Sequence, residues 1–380
     1  GNIYYEQSDF LLAIKHFKSA INIDPNYPNT YYNLAAAFER IKDYPSCLKY
    51  YKLSFHQNSQ EIKALTKIRL LFKKMRKNNE AIRYFKNLLK RNPNSKDILY
   101  NLAVIFKNNG ELVKAKFYFN KLLKIDDKDI NSYLLLGEVL CDTLSLNQGL
   151  KLFKKAIAID ENYHSSHSFL LFNVNYCPNH TSEEIFSYYQ QFNDKFGLPL
   201  QKEWQPFTPV KKPKKKLKIG YVSPDFRNHS MKGFLKPVLA NHNHEYFEIF
   251  AFAELSKEDH VTKQYQSYVD HWIPTQNLTD QQMAQKIRDM EIDILVDLAG
   301  HTKGNRLGVF ARKPAPVSLS WWIGSAYTTG LSSIDYFITD DLMAPNGSEH
   351  LFSEKIWHLP HHASIWDPES KQMGEVGPLP

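Results

Sequence analysis

A strict period of 34 residues governs the first half of this 380-residue chain. Small side chains recur at that spacing at Ala13, Cys47, Ala81, Ala115 and Gly149. Large aromatic ones recur in the same register at Phe17, Tyr51, Phe85, Phe119 and Phe153. Aliphatic ones keep the phase at Leu34, Ile68, Leu102, Leu136 and Leu170. Chance does not hold a register over four intervals, so one structural unit is repeated along this part of the chain.

The period, the small residue where two helices would cross and the aromatic one turn later are typical of tetratricopeptide helix pairs. Pro25 and Pro93 stand where the second helix of a pair would end. One helix pair cannot bury its apolar face alone, whereas stacked pairs share a core and form a concave binding surface. Residues 1–176 are therefore predicted to be an α solenoid. Because Gly1 falls inside the first predicted helix, we expect the natural chain to begin upstream.

Composition restricts the function classes. No apolar run approaches the ~20 residues that a bilayer crossing needs, so no membrane span is expected. Cys47, Cys141 and Cys177 lie far apart without metal-ligand spacing, which indicates reduced thiols, no metal site and a cytoplasmic protein.

The net charge of +8 has its densest run at 211–218, between the repeats and an apolar strand. We interpret 177–216 as a helical and basic linker, with a phosphate or acidic-lipid partner as the alternative. Base-reading signatures are absent, so no nucleic-acid partner is expected.

Residues 217–380 show α/β patterning instead, with short apolar runs separated by helical stretches. Five parallel strands are predicted at 219–222, 247–253, 292–298, 317–322 and 336–339, and helices at 231–241 and 280–290. Ligands of such sheets bind at the carboxyl ends of the strands. The loops after Val222, Leu298 and Trp322 are therefore the places to seek chemistry.

These loops contain His229 and His301, two candidate catalytic residues. A histidine in a polar loop is often only a surface or capping residue, and that alternative stays open here. Gly300 and Gly304 would let a ligand approach the backbone closely.

The residues also resemble a known family. The repeats, the segment 219–226 (IGYVSPDF), Asn228-His229 and the segment 293–302 (DILVDLAGHT) look like the O-linked N-acetylglucosamine transferases and their plant SPINDLY-like relatives. The segments 310–317 (FARKPAPV) and 374–380 (GEVGPLP) extend the match. The resemblance implies an inverting, metal-independent glycosyltransferase with two Rossmann-like lobes and no cofactor, acting on Ser or Thr of proteins.

The resemblance also implies roles for individual residues. His229 would lie at the sugar and the acceptor, and His301 stands where plant-type relatives have His. The implied donor-binding residues are Ile323, Gly324, Thr302, Lys303, Thr328 and Thr329. The implied acceptor-binding residues are Ala326 and, on the repeats, Asn33 and Asn101. The partners would be protein or peptide acceptors and a nucleotide sugar, and the repeats leave an oligomer open.

Two features depart from the family. Ala326-Tyr327 replaces a Pro-Gly turn, so the acceptor side of the cleft would be reshaped. The second lobe, which would hold most nucleotide contacts, is not present after 217–380. We expect the repeat arm plus acceptor lobe of a transferase that uses UDP-N-acetylglucosamine. The alternatives are a protein O-fucosyltransferase that uses GDP-fucose, and a non-catalytic repeat scaffold.

Overall fold

The computed structural model describes residues 1–58, 62–207, 216–321, 327–363 and 366–367. The chain divides into two compact units, Gly1–Asp160 and Glu161–Pro380. Within the described residues, every helix is too short or too polar to cross a bilayer.

The first unit consists of helix pairs. Its helices are α1 (Asn2–Glu6), α2 (Phe10–Ile23), α3 (Thr30–Arg40), α4 (Tyr44–Gln57), α5 (Ile62–Lys74), α6 (Asn78–Arg91), α7 (Lys96–Asn108), α8 (Leu112–Leu123), α9 (Ile130–Asp142) and α10 (Leu146–Ile159). The small and aromatic residues of the 34-residue pattern are buried throughout these pairs. Pro25 and Pro93 lie just beyond the ends of α2 and α6. The predicted tetratricopeptide architecture is confirmed.

Each helix pair turns on one residue with left-handed backbone geometry. The φ angle is +63° at Ser8, +63° at Lys42, +56° at Arg76, +75° at Gly110 and +59° at Leu144, so this turn also repeats every 34 residues. A Cβ atom disfavours this geometry by roughly 1–2 kcal/mol, because it crowds the following carbonyl oxygen. Gly110 alone among these five meets it without that cost.

The second unit begins with α11 (His164–Val174), α12 (Ser182–Phe192) and two short non-α helical turns, Asn193–Gly197 and Leu198–Glu203. The remaining helices are α13 (Lys232–Ala240), α14 (His260–Tyr268), α15 (Asp280–Asp289), α16 (Leu307–Phe310) and a turn at Glu349–Leu351. The strands are β1 (Leu217–Ser223), β2 (Phe247–Ala253), β3 (His271–Pro274), β4 (Ile294–Asp297), β5 (Val317–Ser320), β6 (Tyr336–Thr339) and β7 (Lys355–His358).

These seven strands form one sheet in the order β3-β2-β1-β4-β5-β6-β7, and every pairing is parallel. The predicted α/β class is confirmed, and the five expected strands are β1, β2, β4, β5 and β6. The two edge strands, β3 and β7, were not expected. Their burial is partial or alternating, so they lack the continuous apolar run of the central strands.

The division between the units lies earlier than the expected boundary at residue 176. Helices α11 and α12 belong to the second unit, where Leu171, Tyr189 and Phe192 share a buried cluster with Val222 of β1 and Leu295 of β4. The part of the expected linker that contains α12 is therefore a packed helix of the α/β unit.

The left-handed turn gives a test of the repeat geometry. A Cβ at Gly110 would meet nothing within 4 Å, so Gly110→Ala introduces backbone strain without a steric clash. We expect the free energy of unfolding of the chain to fall by about 1 kcal/mol in urea titrations. Gly110→Asn should cost less, because Asn tolerates this backbone region. Equal stability of Gly110→Ala and the original chain would contradict the assignment.

Candidate active site

The strand order reverses direction between β1 and β4, and the loops after these strands diverge at that point. Such a switch point forms a crevice at the carboxyl ends of the strands, where ligands of parallel sheets bind. Gly304, in the loop after β4, has a φ of +86°, and a Cβ there would lie 3.0 Å from Cβ of Pro224. Pro224 of the loop after β1 therefore lies against Gly304 of the loop after β4.

The loop after β1 is anchored by a buried aromatic ring. Phe226 is fully buried and packs edge-on against Tyr265 and Trp272. The hydroxyl of Ser223 accepts a hydrogen bond of 3.0 Å from the backbone N–H of Asp225. This anchoring fixes the backbone from which the polar side chains of the loop project.

His229 lies on this loop with an oriented ring. Its Nδ1 is 3.8 Å from Oδ2 of Asp225 and 3.4 Å from the backbone N–H of Met231. The other carboxylate oxygen of Asp225 accepts a 2.8 Å hydrogen bond from Arg227. The His229 side chain is 35% exposed, and its Nε2 has no partner among the described residues. Nε2 is therefore open to a ligand, while Nδ1 contacts the backbone N–H of Met231 and the carboxylate of Asp225.

The turn after β4 depends on the buried carboxylate of Asp297. It accepts hydrogen bonds from the backbone N–H groups of Ala299 at 3.1 Å and Gly300 at 3.0 Å, and from the hydroxyl of Ser320 at 3.0 Å. Burial raises the pKa of Asp297, and these three donors oppose that shift. Asp297 thus joins the ends of β4 and β5 and sets the path of the backbone towards His301.

His301 is buried, and its surroundings correct the expected catalytic role. Its Nε2 lies 2.8 Å from the carbonyl oxygen of Thr329, and its Nδ1 lies 3.4 Å from the hydroxyl of Ser168 on α11. The edges of Tyr189 and Phe192 enclose the ring. Burial lowers the pKa of His301 to about 3, so the ring is neutral and Nε2 donates to Thr329. Both nitrogens are engaged, which fits a structural role and not proton transfer.

Of the next residues in this loop, Thr302 stabilises the turn and Lys303 is exposed. The Thr302 hydroxyl donates to the carbonyl of Ala299 at 2.7 Å, which stabilises the turn. Lys303 is exposed, so its ammonium group can meet an anion. Arg306 is engaged with Glu254 at 2.9 Å and Asp280 at 2.8 Å. Lys303 is thus the accessible cation of this loop.

Thr328 and Thr329 are buried, and their hydroxyls serve the fold. The Thr328 hydroxyl donates to Oε2 of Glu354 at 2.5 Å, and both the hydroxyl and the backbone N–H of Thr329 donate to Oε1. The hydroxyl oxygens accept in turn from the N–H groups of Gly330 and Leu331. The expected donor-binding role of these two side chains is therefore corrected to that of a clasp around Glu354.

Three of the expected ligand residues, Ile323, Gly324 and Ala326, lie outside the described residues. Their implied roles stay predictions. In the part of the chain that the structure describes, there is no group of three His, Cys, Asp or Glu side chains that could hold a metal ion.

On the repeats, the two expected acceptor-binding asparagines differ. Asn101 is 1% exposed, and its amide donates to the carbonyl of Asp97 and accepts from Arg69. These contacts engage both ends of the Asn101 amide within the repeat, and its acceptor-binding role stays a prediction. Asn33 is half-exposed and donates to Asn2 at 3.2 Å. At the equivalent position Lys67 pairs with Glu39 at 2.8 Å.

Sequence reasoning missed the buried polar groups that organise the site. Asp225 and Asp297 stood within quoted motifs without a role, and Ser168 and Glu354 were not considered. A carboxylate as the last residue of a buried strand, as Asp297 is in β4, is a signal that could have been used. Glu354 gives no local signal, because its partners lie 25 and 26 residues away.

Comparison with known proteins agrees with this architecture. Residues 194–373 match the model of glycosyl transferase family 41, and residues 1–42 and 74–139 match tetratricopeptide repeat models. An O-GlcNAc transferase variant from Thermobaculum terrenum is similar in structure, with a TM-score of 0.72 at 27% identity. That match covers 80% of this chain and 58% of the other.

Two curated plant proteins are similar in sequence. One is named a probable UDP-N-acetylglucosamine–peptide N-acetylglucosaminyltransferase SEC, from Arabidopsis thaliana, at 37% identity over 48% of this chain and 19% of that protein. The other is the tomato (Solanum lycopersicum) protein of the same description named SPINDLY, at 31% identity over 55% of this chain and 23% of that protein. The matched region is thus a quarter or less of the length of these relatives.

The clasp around Glu354 predicts a graded loss of stability. Glu354→Ala leaves three buried donors without an acceptor, and we expect the free energy of unfolding to fall by roughly 3 kcal/mol or more. Glu354→Gln keeps one oxygen for the two donors of Thr329 and should cost about 1–2 kcal/mol. Urea unfolding of both variants measures this difference. Equal losses would show that the oxygen facing Thr329 is not an essential acceptor.

The buried His301 predicts a pH dependence. Between pH 6.5 and about 3 the unfolded chain protonates this residue and the folded chain does not, so stability falls as the pH is lowered. The contribution approaches ~1.4 kcal/mol per pH unit within that window. Unfolding free energies measured from pH 7 to 5 should therefore fall less steeply for His301→Gln. The exposed His244 provides a control, and an identical slope for His301→Gln and His244→Gln would refute the assignment.

Proposed function

We propose that this chain takes part in protein O-GlcNAc transfer, because residues 194–373 match glycosyl transferase family 41 and tetratricopeptide repeats precede them. The sugar would move from UDP-N-acetylglucosamine to a Ser or Thr hydroxyl of a protein acceptor. The α/β unit of this chain would hold the acceptor hydroxyl and the sugar. The described observation that carries this assignment is His229, with Nδ1 held and Nε2 open at the switch point of the sheet.

The proposed step is a single displacement with inversion. A bond forms between the acceptor oxygen and C1 of the sugar, while the bond from C1 to the diphosphate oxygen breaks and UDP leaves. The hydroxyl gives up its proton as the bond forms. Because the Nε2 atom of His229 faces a ligand with either a lone pair or a hydrogen, the ring can accept that proton or orient the hydroxyl.

The neighbouring carboxylate supports this role. For Nε2 to accept a proton, Nδ1 must carry the ring hydrogen. Nδ1 then loses the 3.4 Å hydrogen bond that it accepts from the N–H of Met231 and faces Oδ2 of Asp225 at 3.8 Å instead. Arg227 holds the other oxygen of the same carboxylate, which keeps Asp225 in place. Asp225 is therefore a positioning residue for His229.

The loop after β4 would contribute to the shape and the charge of the site. Asp297 and His301 hold the turn after β4, so that Gly300, Thr302 and Lys303 project from a fixed backbone. The exposed ammonium group of Lys303 would attract the diphosphate of the donor. Cys47 and Cys177 are buried thiols, which suits the proposed cytoplasmic location.

The role of His229 has a direct test. In the full-length protein, His229→Ala should lower the rate of sugar transfer to a Ser-containing peptide by about 10²–10⁴-fold, because a positioned acid–base group contributes that much. Transfer of radiolabelled N-acetylglucosamine measures the rate, and calorimetry measures donor binding, which should survive the change.

His244→Ala is the matched control, because His244 precedes the amino end of β2, whereas His229 follows the carboxyl end of β1. His244 pairs with Asp270. The transfer rate of His244→Ala should be unchanged. Unchanged transfer by His229→Ala would remove His229 from its role. The same assay with GDP-fucose tests the other donor, and lack of transfer from both donors would favour a non-catalytic scaffold.

A further inference from the structure

The second helices of three consecutive repeats carry basic side chains at two equivalent positions. These are Lys15 and Lys18 on α2, Lys49 and Lys52 on α4, and Arg83 and Lys86 on α6. Each pair is separated by three residues, which places both side chains on one face of their helix. We call these six residues the basic ladder. Phe117 and Asn120 take the two positions on α8 and interrupt the pattern, and Lys151 and Lys154 take them on α10.

One cation of each pair is held over aromatic rings by the repeat architecture. The ammonium nitrogen of Lys18 lies 5.5 Å from the ring centre of Phe38, that of Lys52 lies 5.0 Å from Phe72, and that of Lys86 lies 5.8 Å from Phe106. These rings are themselves 34 residues apart and buried. The contact limits the freedom of the lysine side chains, so less entropy is lost when an anion binds.

The other cation of each pair, Lys15, Lys49 or Arg83, is exposed. Five carboxylates of this unit form ion pairs with cations outside the ladder: Glu39 with Lys67 and Lys74, Glu80 with Lys77, Glu111 with Lys114, Asp126 with Lys96 and Glu138 with Lys107. Among the described residues, no ladder cation forms an ion pair. The ladder thus presents six positive charges at regular intervals without internal neutralisation.

We propose that the basic ladder is a docking surface for an acidic polypeptide segment, one that carries Asp or Glu at several positions. Its regular spacing over three repeats fits an extended chain, and its charge fits carboxylates. The proposal rests on the proposed function in one respect, namely that the segment belongs to an acceptor protein. The ladder would then raise the local concentration of acceptors with acidic tracts.

Two observations favour a polypeptide over a nucleic acid. The rings beneath Lys18, Lys52 and Lys86 are buried, so they cannot provide the stacking platforms that single-stranded nucleic acids use. Five of the six cations are Lys, which offers a point charge and not the bidentate fork with which Arg recognises phosphate.

The test compares two triple variants of the full chain with the same net charge. Lys15→Gln/Lys49→Gln/Arg83→Gln removes three exposed ladder charges and leaves Lys18, Lys52 and Lys86 over their rings. Lys63→Gln/Lys73→Gln/Lys128→Gln removes three exposed charges outside the ladder. Fluorescence anisotropy measures binding of a labelled polyglutamate peptide, and circular dichroism checks folding.

We expect the ladder variant to bind the peptide about tenfold more weakly, and the control variant to stay within about threefold of the original chain. Binding should weaken with salt as the Debye length falls to about 8 Å. If both variants lose the same affinity for the peptide, net charge alone explains the binding and the proposal is overturned. Tighter binding of an oligothymidylate than of polyglutamate would overturn it in favour of a nucleic acid.

Transfer assays separate this proposal from the proposed function. In the full-length protein, the ladder variant should glycosylate a neutral acceptor peptide at the original rate and an acceptor with an added acidic tract more slowly. If acceptors are glycosylated but an acidic tract does not raise the rate, the ladder proposal is wrong and the proposed function stands. If no acceptor is glycosylated but polyglutamate binding depends on the ladder, the proposed function fails alone.

Discussion

The reversal of strand order between β1 and β4 is the constraint on which the α/β unit depends. Parallel strands require a crossover after each one, and these crossovers run in opposite directions on the two sides of this point. The loops after β1 and β4 consequently separate, while Gly304 and Pro224 keep their bases in contact. His229 and Lys303 lie on these two loops, beyond the carboxyl ends of β1 and β4.

Buried polar groups hold that edge in place. Asp297, His301 and Glu354 each satisfy donors or acceptors from segments distant in sequence, and each is shielded from water. Such networks are stabilising only when they are fully paired, which makes them specific for one arrangement of the chain. The site therefore separates two tasks. Residues such as His301 define its shape, while His229 and Lys303 remain accessible for chemistry.

The parts of the structure that could be predicted are those with a local periodic signal. The helix pairs followed from the recurrence of residues such as Ala81 and Phe85, and the five inner strands followed from continuous apolar runs. The edge strand β7 alternates between exposed and half-buried residues and gave no such run. The role of His301 was misjudged because its loop looks polar, while the groups that enclose it, such as Ser168 and Phe192, come from helices more than a hundred residues earlier.

The repeated left-handed turn has a consequence for how the helix pairs open. Four of the five turns place a residue with a side chain in this geometry, and the fifth uses Gly110. In an array where each pair contacts its neighbours, local opening is governed by the intrinsic stability of each pair and by its interfaces. The hairpin of α7 and α8 carries no strain at its turn, so its amide hydrogens should be the slowest of the array to exchange with solvent, and fraying should proceed towards it from either side.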